Sequence, residues 1–176
     1  MMQPLTRRRA SALINHYLPD LVYGANDGII TTFAVVSGVV GADLSERIIL
    51  ILGFANLLAD GFSMGASNFL ARRSYANADE RASGGEAARH GAATVAGFVT
   101  AGVVPLVAYL VPLSDDARFP VAVGLTLSTL FAVGASRAAV TRLGWMRSGL
   151  EMLLVGALAA AVAYSIGALA SALTGT

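Results

Sequence analysis

Apolar residues run in long stretches along this chain, and polar residues either gather between those stretches or stand alone inside them. A helix of about 20 apolar residues crosses a bilayer core. Five stretches reach that length: residues 20–42, 48–71, 91–113, 119–139 and 148–173. Helix is the expected form, because an open strand leaves backbone groups unpaired in lipid. The expected fold class is an all-α integral membrane protein with five transmembrane helices. Residues 1–19 read as an N-terminal cytoplasmic or interfacial segment, 20–173 as the transmembrane domain, and 72–90 as a short cytoplasmic loop within it. Leu5 to Tyr17 has the pattern of a basic amphipathic helix on the membrane surface. Pro19 suits the first turn of the first span. After the second span, a short helical extension and then a loop containing Gly84-Gly85 are expected. Pro105 and Pro112 should kink or end the third span.

Composition agrees with this pattern. The chain has 176 residues, of which 56% are hydrophobic and 13% charged, and its mean hydropathy is +0.67. A soluble domain carries about 25% charged residues. So few charges cannot cover a water-facing surface, which excludes a free soluble enzyme, a nucleic-acid binder and a disordered tail. Absence of cysteine removes disulfides, thiolate metal sites and cysteine nucleophiles together. No resident cofactor is expected. The Arg cluster at the N-terminus is followed by Asn15, His16, Pro19 and Asp20, which is not the plan of a signal peptide.

Charge sets the orientation. All 12 basic residues are Arg. Arg7, Arg8 and Arg9 precede the first span; Arg72, Arg73, Arg81 and Arg89 lie between the second and third; Arg137, Arg142 and Arg147 lie between the fourth and fifth. Only Arg47 and Arg118 fall on the other side. The positive-inside rule then puts the N-terminus in the cytoplasm and the C-terminus outside. Arg in place of Lys, with much Ala and Gly, suggests a GC-rich genome. A bacterial plasma membrane is the expected location, with a vacuole-type organelle membrane as the alternative.

Two acids stand inside the apolar stretches, Asp27 and Asp60. A carboxylate at bilayer depth costs at least ~2.5–3.5 kcal/mol, so such groups mark function by default. At a rise of ~1.5 Å per residue, Asp27 lies roughly 10 Å below the level of Asp20, and Met64 roughly 12 Å below that of Arg72. Asp27 and Met64 should therefore be nearly level, with Asp60 one turn deeper. Asn56, Asp60 and Met64 step by four and share a helical stripe. Gly24 and Gly28, and Gly61 and Gly65, have the small-residue spacing that lets helices approach closely. These features describe a narrow polar crevice between the first two spans.

Carboxylates, an amide oxygen and a thioether suit a divalent cation. Oxygen alone fits Mg²⁺, Ca²⁺ or Mn²⁺, and the thioether moves preference toward a softer metal such as Fe²⁺. The same carboxylates can take up protons when the metal leaves. Bland readings stand beside this: Met64 alone reads as packing, and Asp27 can pair with a buried donor. Asp20 can serve either the mouth of a metal path or the helix dipole. Glu151, four residues after Arg147, reads as structural, and His16 and His90 fall at the membrane surface without a specific role. No nucleophile–base set and no histidine metal cluster shares a common depth, so the chain does not read as an enzyme.

Two long motifs carry a resemblance. Leu21-Val22-Tyr23-Gly24-Ala25-Asn26-Asp27-Gly28, continued by Thr31-Thr32-Phe33-Ala34-Val35-Val36-Ser37-Gly38, resembles the first-span signature of the vacuolar iron transporter family. Ala55-Asn56-Leu57-Leu58-Ala59-Asp60-Gly61-Phe62-Ser63-Met64-Gly65 resembles its second-span signature. The resemblance implies a five-helix homodimer that exports Fe²⁺, and in some members Mn²⁺, from the cytosol in exchange for protons. It implies a path between the two first spans at the dimer axis. It also implies metal ligands at Asp27 and Met64, with a further acid at the cytoplasmic mouth at Asp20. Long members have Glu at the position of Asn56 and Gly at that of Asp60, so the acid has moved one turn. They also carry a cytoplasmic metal-binding domain rich in Glu and Met, where this chain has only Arg72 to His90. The chain is thus similar to the short members. A passive cation channel and a metal-binding membrane scaffold or accessory protein are the competing functions. Lipid, protons, divalent metal and a second copy of the chain are the expected partners; nucleic acid is not.

Overall fold

Helix is the regular structure of every described element. The computed structural model describes residues 5–79, 84–139 and 144–175. The elements are α1 (Leu5–Gly41), α2 (Glu46–Asp79), α3 (Gly84–Gly102), α4 (Val104–Leu110), α5 (Asp115–Ser136), a 3₁₀ turn (Arg137–Ala139) and α6 (Trp145–Thr174). Helices α2, α5 and α6 are each long and apolar enough to cross a membrane, and the bent pair α3–α4 makes a fourth candidate. Helix α1 is 37 residues long but falls outside that set. Asn26, Asp27, Thr31 and Thr32 dilute its apolar run.

The expected boundaries shift at three places. The surface segment and the first span are one helix, with Pro19 inside it rather than in its first turn. Proline removes one backbone hydrogen bond; the Asp20–His90 contact and the Leu21 backbone packed on Gly97 tie the helix to α3 just beyond it. The polar stretch after the second span is largely helical: α2 continues to Asp79 and α3 already starts at Gly84. His90 is therefore a helical residue of α3. Glu80, Arg81 and Arg142 of the expected loops lie outside the described residues. The third span does break, with a 40° bend between α3 and α4. Pro105 occupies the first turn of α4, and Val111 turns extended before Pro112, as a residue preceding proline prefers.

Glycines decide which helices touch. In lipid there is little hydrophobic drive between helices, and close van der Waals packing takes its place. Gly24 and Gly28 of α1 lie on the backbone of α3, where a Cβ at either would collide with Thr94 or Phe98. Gly97 of α3 lies equally close to the backbone of Leu21. On the other flank, a Cβ at Gly65 of α2 would come within 2.8 Å of the Gly91 carbonyl, and one at Gly91 within 2.6 Å of the Gly65 carbonyl. The glycine pairs thus seat α1 and α2 against α3, not chiefly against each other, which corrects the expected two-helix crevice. Spacing shows that a helix face is small; it does not name the backbone that will lie on it.

A second seam joins α1 to α6, where Gly41 meets the Tyr164 backbone and Gly167 meets that of Gly38. Toward that end of the bundle Phe33, Val36, Val39, Ile49, Leu106 and Tyr109 form one buried cluster. Ala25, Ile29, Ala101, Leu130 and Met152 form another, nearer the arginine-rich end. Arg118 ties the start of α5 to the start of α2 by an ion pair with Glu46, and pairs with Asp115 at 2.9 Å.

Candidate metal path and its polar neighbour

Two adjacent stripes of α2 do different work. Leu57, Gly61, Gly65 and Asn68 meet α3, through packing or hydrogen bonds. Asn56, Asp60 and Met64 lie one residue further round, about 100° away. Asp60 is exposed on the surface of the single chain, while Asn56 and Met64 are partly buried. On α1, Asp27 is partly buried and lies within electrostatic range of Asp60. Among the described residues neither carboxylate has a hydrogen bond or an ion pair. The Asn56 side-chain Nδ2 is buried without a partner, as are the hydroxyls of Thr32 and Ser37 on α1. Thr31 spends its hydroxyl on the Asp27 carbonyl at 2.8 Å. The structure therefore sets Asp27 and Asp60 within electrostatic range of each other, with no partner for either carboxylate among the described residues. Met64 stands one turn from Asp60 on the same stripe.

Asp20 is built differently. It is 5% exposed, and three side chains surround its carboxylate. Asn68 Nδ2 donates to Oδ1 at 2.8 Å and Arg72 Nη2 to the same oxygen at 3.0 Å. His90 Nδ1 lies 2.5 Å from Oδ2. Asn68 also donates to Thr94 Oγ1 at 2.6 Å and accepts from Arg72 Nε at 2.9 Å. One network thus spans α1, α2 and α3 at the arginine-rich end. Asp20 sits deep within α1, so a first-turn interaction with the helix dipole does not describe it.

The sequence reading missed this network, and it missed His90 in particular. His90 is 3% exposed, and its ring lies 4.8 Å from that of His16 and 4.8 Å from that of Tyr17. One signal was available: Asn68 and Arg72, and His90 and Thr94, are i,i+4 pairs near facing ends of successive helices. The expectation that no histidine cluster forms is corrected, because His16, Glu86 and His90 come together. Glu151 pairs with Arg147 at 3.1 Å, the structural role expected of it. Near this end, between α1 and α6, a cavity of about 490 Å³ is lined by Tyr23, Asn26, Arg137 and Glu151 among others.

Membrane-length helices joined by glycine seams define a multi-pass helical membrane protein. The chain belongs to the VIT family, whose profile matches residues 18–88 and 72–168. A vacuolar iron transporter of Toxoplasma gondii (strain ATCC 50861 / VEG) is 50% identical over 54 residues, which are 31% of this chain and 18% of that protein. Vacuolar iron transporter homolog 1 of Oryza sativa subsp. japonica is 30% identical over 169 residues, covering 85% of this chain and 72% of that one. Vacuolar iron transporter homolog 4 of Arabidopsis thaliana is 28% identical over 160 residues, covering 84% and 81%. This chain thus covers less than a fifth of the Toxoplasma relative but most of the two plant homologues. All three relatives are named as transporters or transporter homologues, none as an enzyme.

Proposed function

We propose that this protein moves divalent transition metal, Fe²⁺ foremost and Mn²⁺ second, out of the cytosol in exchange for protons. The observation that carries the reading is the pair Asp27 and Asp60. The two acids stand on neighbouring helices within electrostatic range of each other, and among the described residues neither carboxylate has a hydrogen bond or ion pair. Their cost in the membrane is offset when a cation or protons occupy the site. Asn56 and Met64, on the same stripe as Asp60, supply an amide oxygen and a soft sulfur to the same region. In this reading five spans cross the membrane with the N-terminus in the cytoplasm, and Asp20 lies near the cytoplasmic mouth.

The reading includes a homodimer. Asp60 is exposed on the single chain, and an exposed acid at that depth needs water or protein over it. A two-fold copy brought against this face doubles the ligands and closes a path at the axis.

Proteoliposomes test the proposal. Purified protein should take up Fe²⁺ and Mn²⁺, and an opposing proton gradient should drive the metal against its own gradient. Metal flux indifferent to the proton gradient would indicate a passive channel. No flux from protein that binds metal would indicate a scaffold.

A further inference from the structure

We propose a second divalent-metal site, formed by His16, Glu86 and His90 where α1 meets the start of α3. His16 Nε2 lies 3.3 Å from Glu86 Oε1. One ring nitrogen from each histidine and one Glu86 oxygen all lie within 4.8 Å of one another. Ligands about 2.1 Å from one ion are about 3.4 Å apart in a tetrahedral site, and about 3 Å (adjacent) or about 4.2 Å (opposite) apart in an octahedral one. The 3.3 Å His16–Glu86 spacing fits a pair in either geometry, and the 4.8 Å limit leaves a closure of at most about 0.6 Å for an opposite octahedral pair or about 1.4 Å for a tetrahedral one. His16 and Glu86 are half-exposed, while His90 is held in place by Asp20.

The fixing of His90 is the second observation. Metal-bound histidines usually direct their other ring nitrogen at a carboxylate, which sets the tautomer and the ring orientation. His90 Nδ1 already lies against Asp20 Oδ2 at 2.5 Å, which leaves Nε2 as the nitrogen with a free lone pair. Arg72, at 3.0 Å from the other Asp20 oxygen, balances the Asp20 charge. Asp20 is thus a positioning residue behind His90, and the charge facing the ion is that of Glu86. The half-exposed side opens to water, which can fill the remaining positions around an ion.

The donor set indicates the class of metal. Two imidazoles and one carboxylate with open positions suit Fe²⁺, and also Co²⁺ and Zn²⁺. Mg²⁺ and Ca²⁺ prefer all-oxygen sites. The site differs from the Asp27–Asp60 pair in place and in chemistry, since no nitrogen donor belongs to that pair. That it loads metal at the cytosolic mouth rests on the transport proposal; that it binds metal does not.

These are the only two histidines in the chain, and there is no cysteine, so the test is direct. Protein labelled with ¹⁵N-histidine, with any polyhistidine tag removed, is titrated with Zn²⁺ in micelles. Both histidines should show a ring-nitrogen resonance that moves together with the other at one Zn²⁺ per chain, in wild type and in Asp27→Asn alike. His16→Gln, at a half-exposed position, and Glu86→Gln should each raise the Zn²⁺ Kd at least tenfold with the fold unchanged. Movement of His16 alone, no movement of either, or loss of the signal in Asp27→Asn would overturn the site. Zn²⁺-induced shifts in a protein that carries no metal across liposomes would keep the site and remove the transport proposal.

Discussion

The Asp20 network and the Asp27–Asp60 pair lie about two helical turns apart on α1, and they treat their charges in opposite ways. Around Asp20 every carboxylate oxygen has a partner, and three helices supply them. Around Asp27 and Asp60 no partner is found among the described residues, and the two like charges lie within electrostatic range of each other. A satisfied buried network rigidifies a structure. In the transport proposal, a pair of acids without partners calls for a ligand. On that proposal the presence of acids in a membrane bundle does not by itself mark a binding site; the state of their oxygens does.

The strongest way to break this comparison is Asp27→Asn. Transport should fall to the level of protein-free liposomes, while the thermal midpoint should be no lower than in wild type, because one of two like charges within electrostatic range is gone. Flux measured beside a melting curve checks both halves. A large loss of stability would mean that Asp27 has a structural partner after all.

Asp20→Asn should do the reverse. Asn keeps one acceptor oxygen but loses the second acceptor and the charge that His90 and Arg72 share, and an unsatisfied buried group costs on the order of 1–3 kcal/mol. Denaturant unfolding in micelles should show that loss. Unchanged stability with lost transport would move Asp20 into the same class as Asp27.

Met64→Leu sharpens the comparison inside the unbonded region. Volume and hydrophobicity are nearly kept, so stability should change little. The sulfur is lost, and softer metals gain most from it. Uptake from equal mixtures should shift a few-fold from Fe²⁺ toward Mn²⁺. An unchanged ratio assigns Met64 to packing.

Arg147→Gln is the small-effect control. The Arg147–Glu151 pair is exposed, and such pairs contribute little, so stability should stay within about 0.5 kcal/mol of wild type. Thermal melts suffice to check it. A larger loss would place this end of α6 within the load-carrying part of the bundle.

Much of the architecture was legible along the chain. Long apolar runs specify helices wherever lipid leaves the backbone no other partner. The break near Pro105 follows from its missing amide hydrogen, and the Arg147–Glu151 pair from helical spacing alone. Asp27 and Asp60 announced themselves because a lone acid in an apolar run is costly. Harder to read were features whose partner is distant in sequence. Pro19 looked like a helix start because local propensity puts proline there, whereas the contacts of Asp20 and Leu21 with α3 carry the helix through it.

What the sequence determined by itself was the class of protein, the approximate run of each helix and the two acids that lipid cannot tolerate alone. Those follow from local cost: each residue's transfer energy and each helix's period can be summed without knowing the fold. Only the tertiary structure decided that the glycine stripes of α1 and α2 both close on α3, that Asp20 is satisfied while Asp27 is not, and that His16 meets Glu86 and His90. These depend on helix register and rotation. A rotation of one residue, about 100°, turns a buried partner into a lipid-facing one without altering any pattern along the chain.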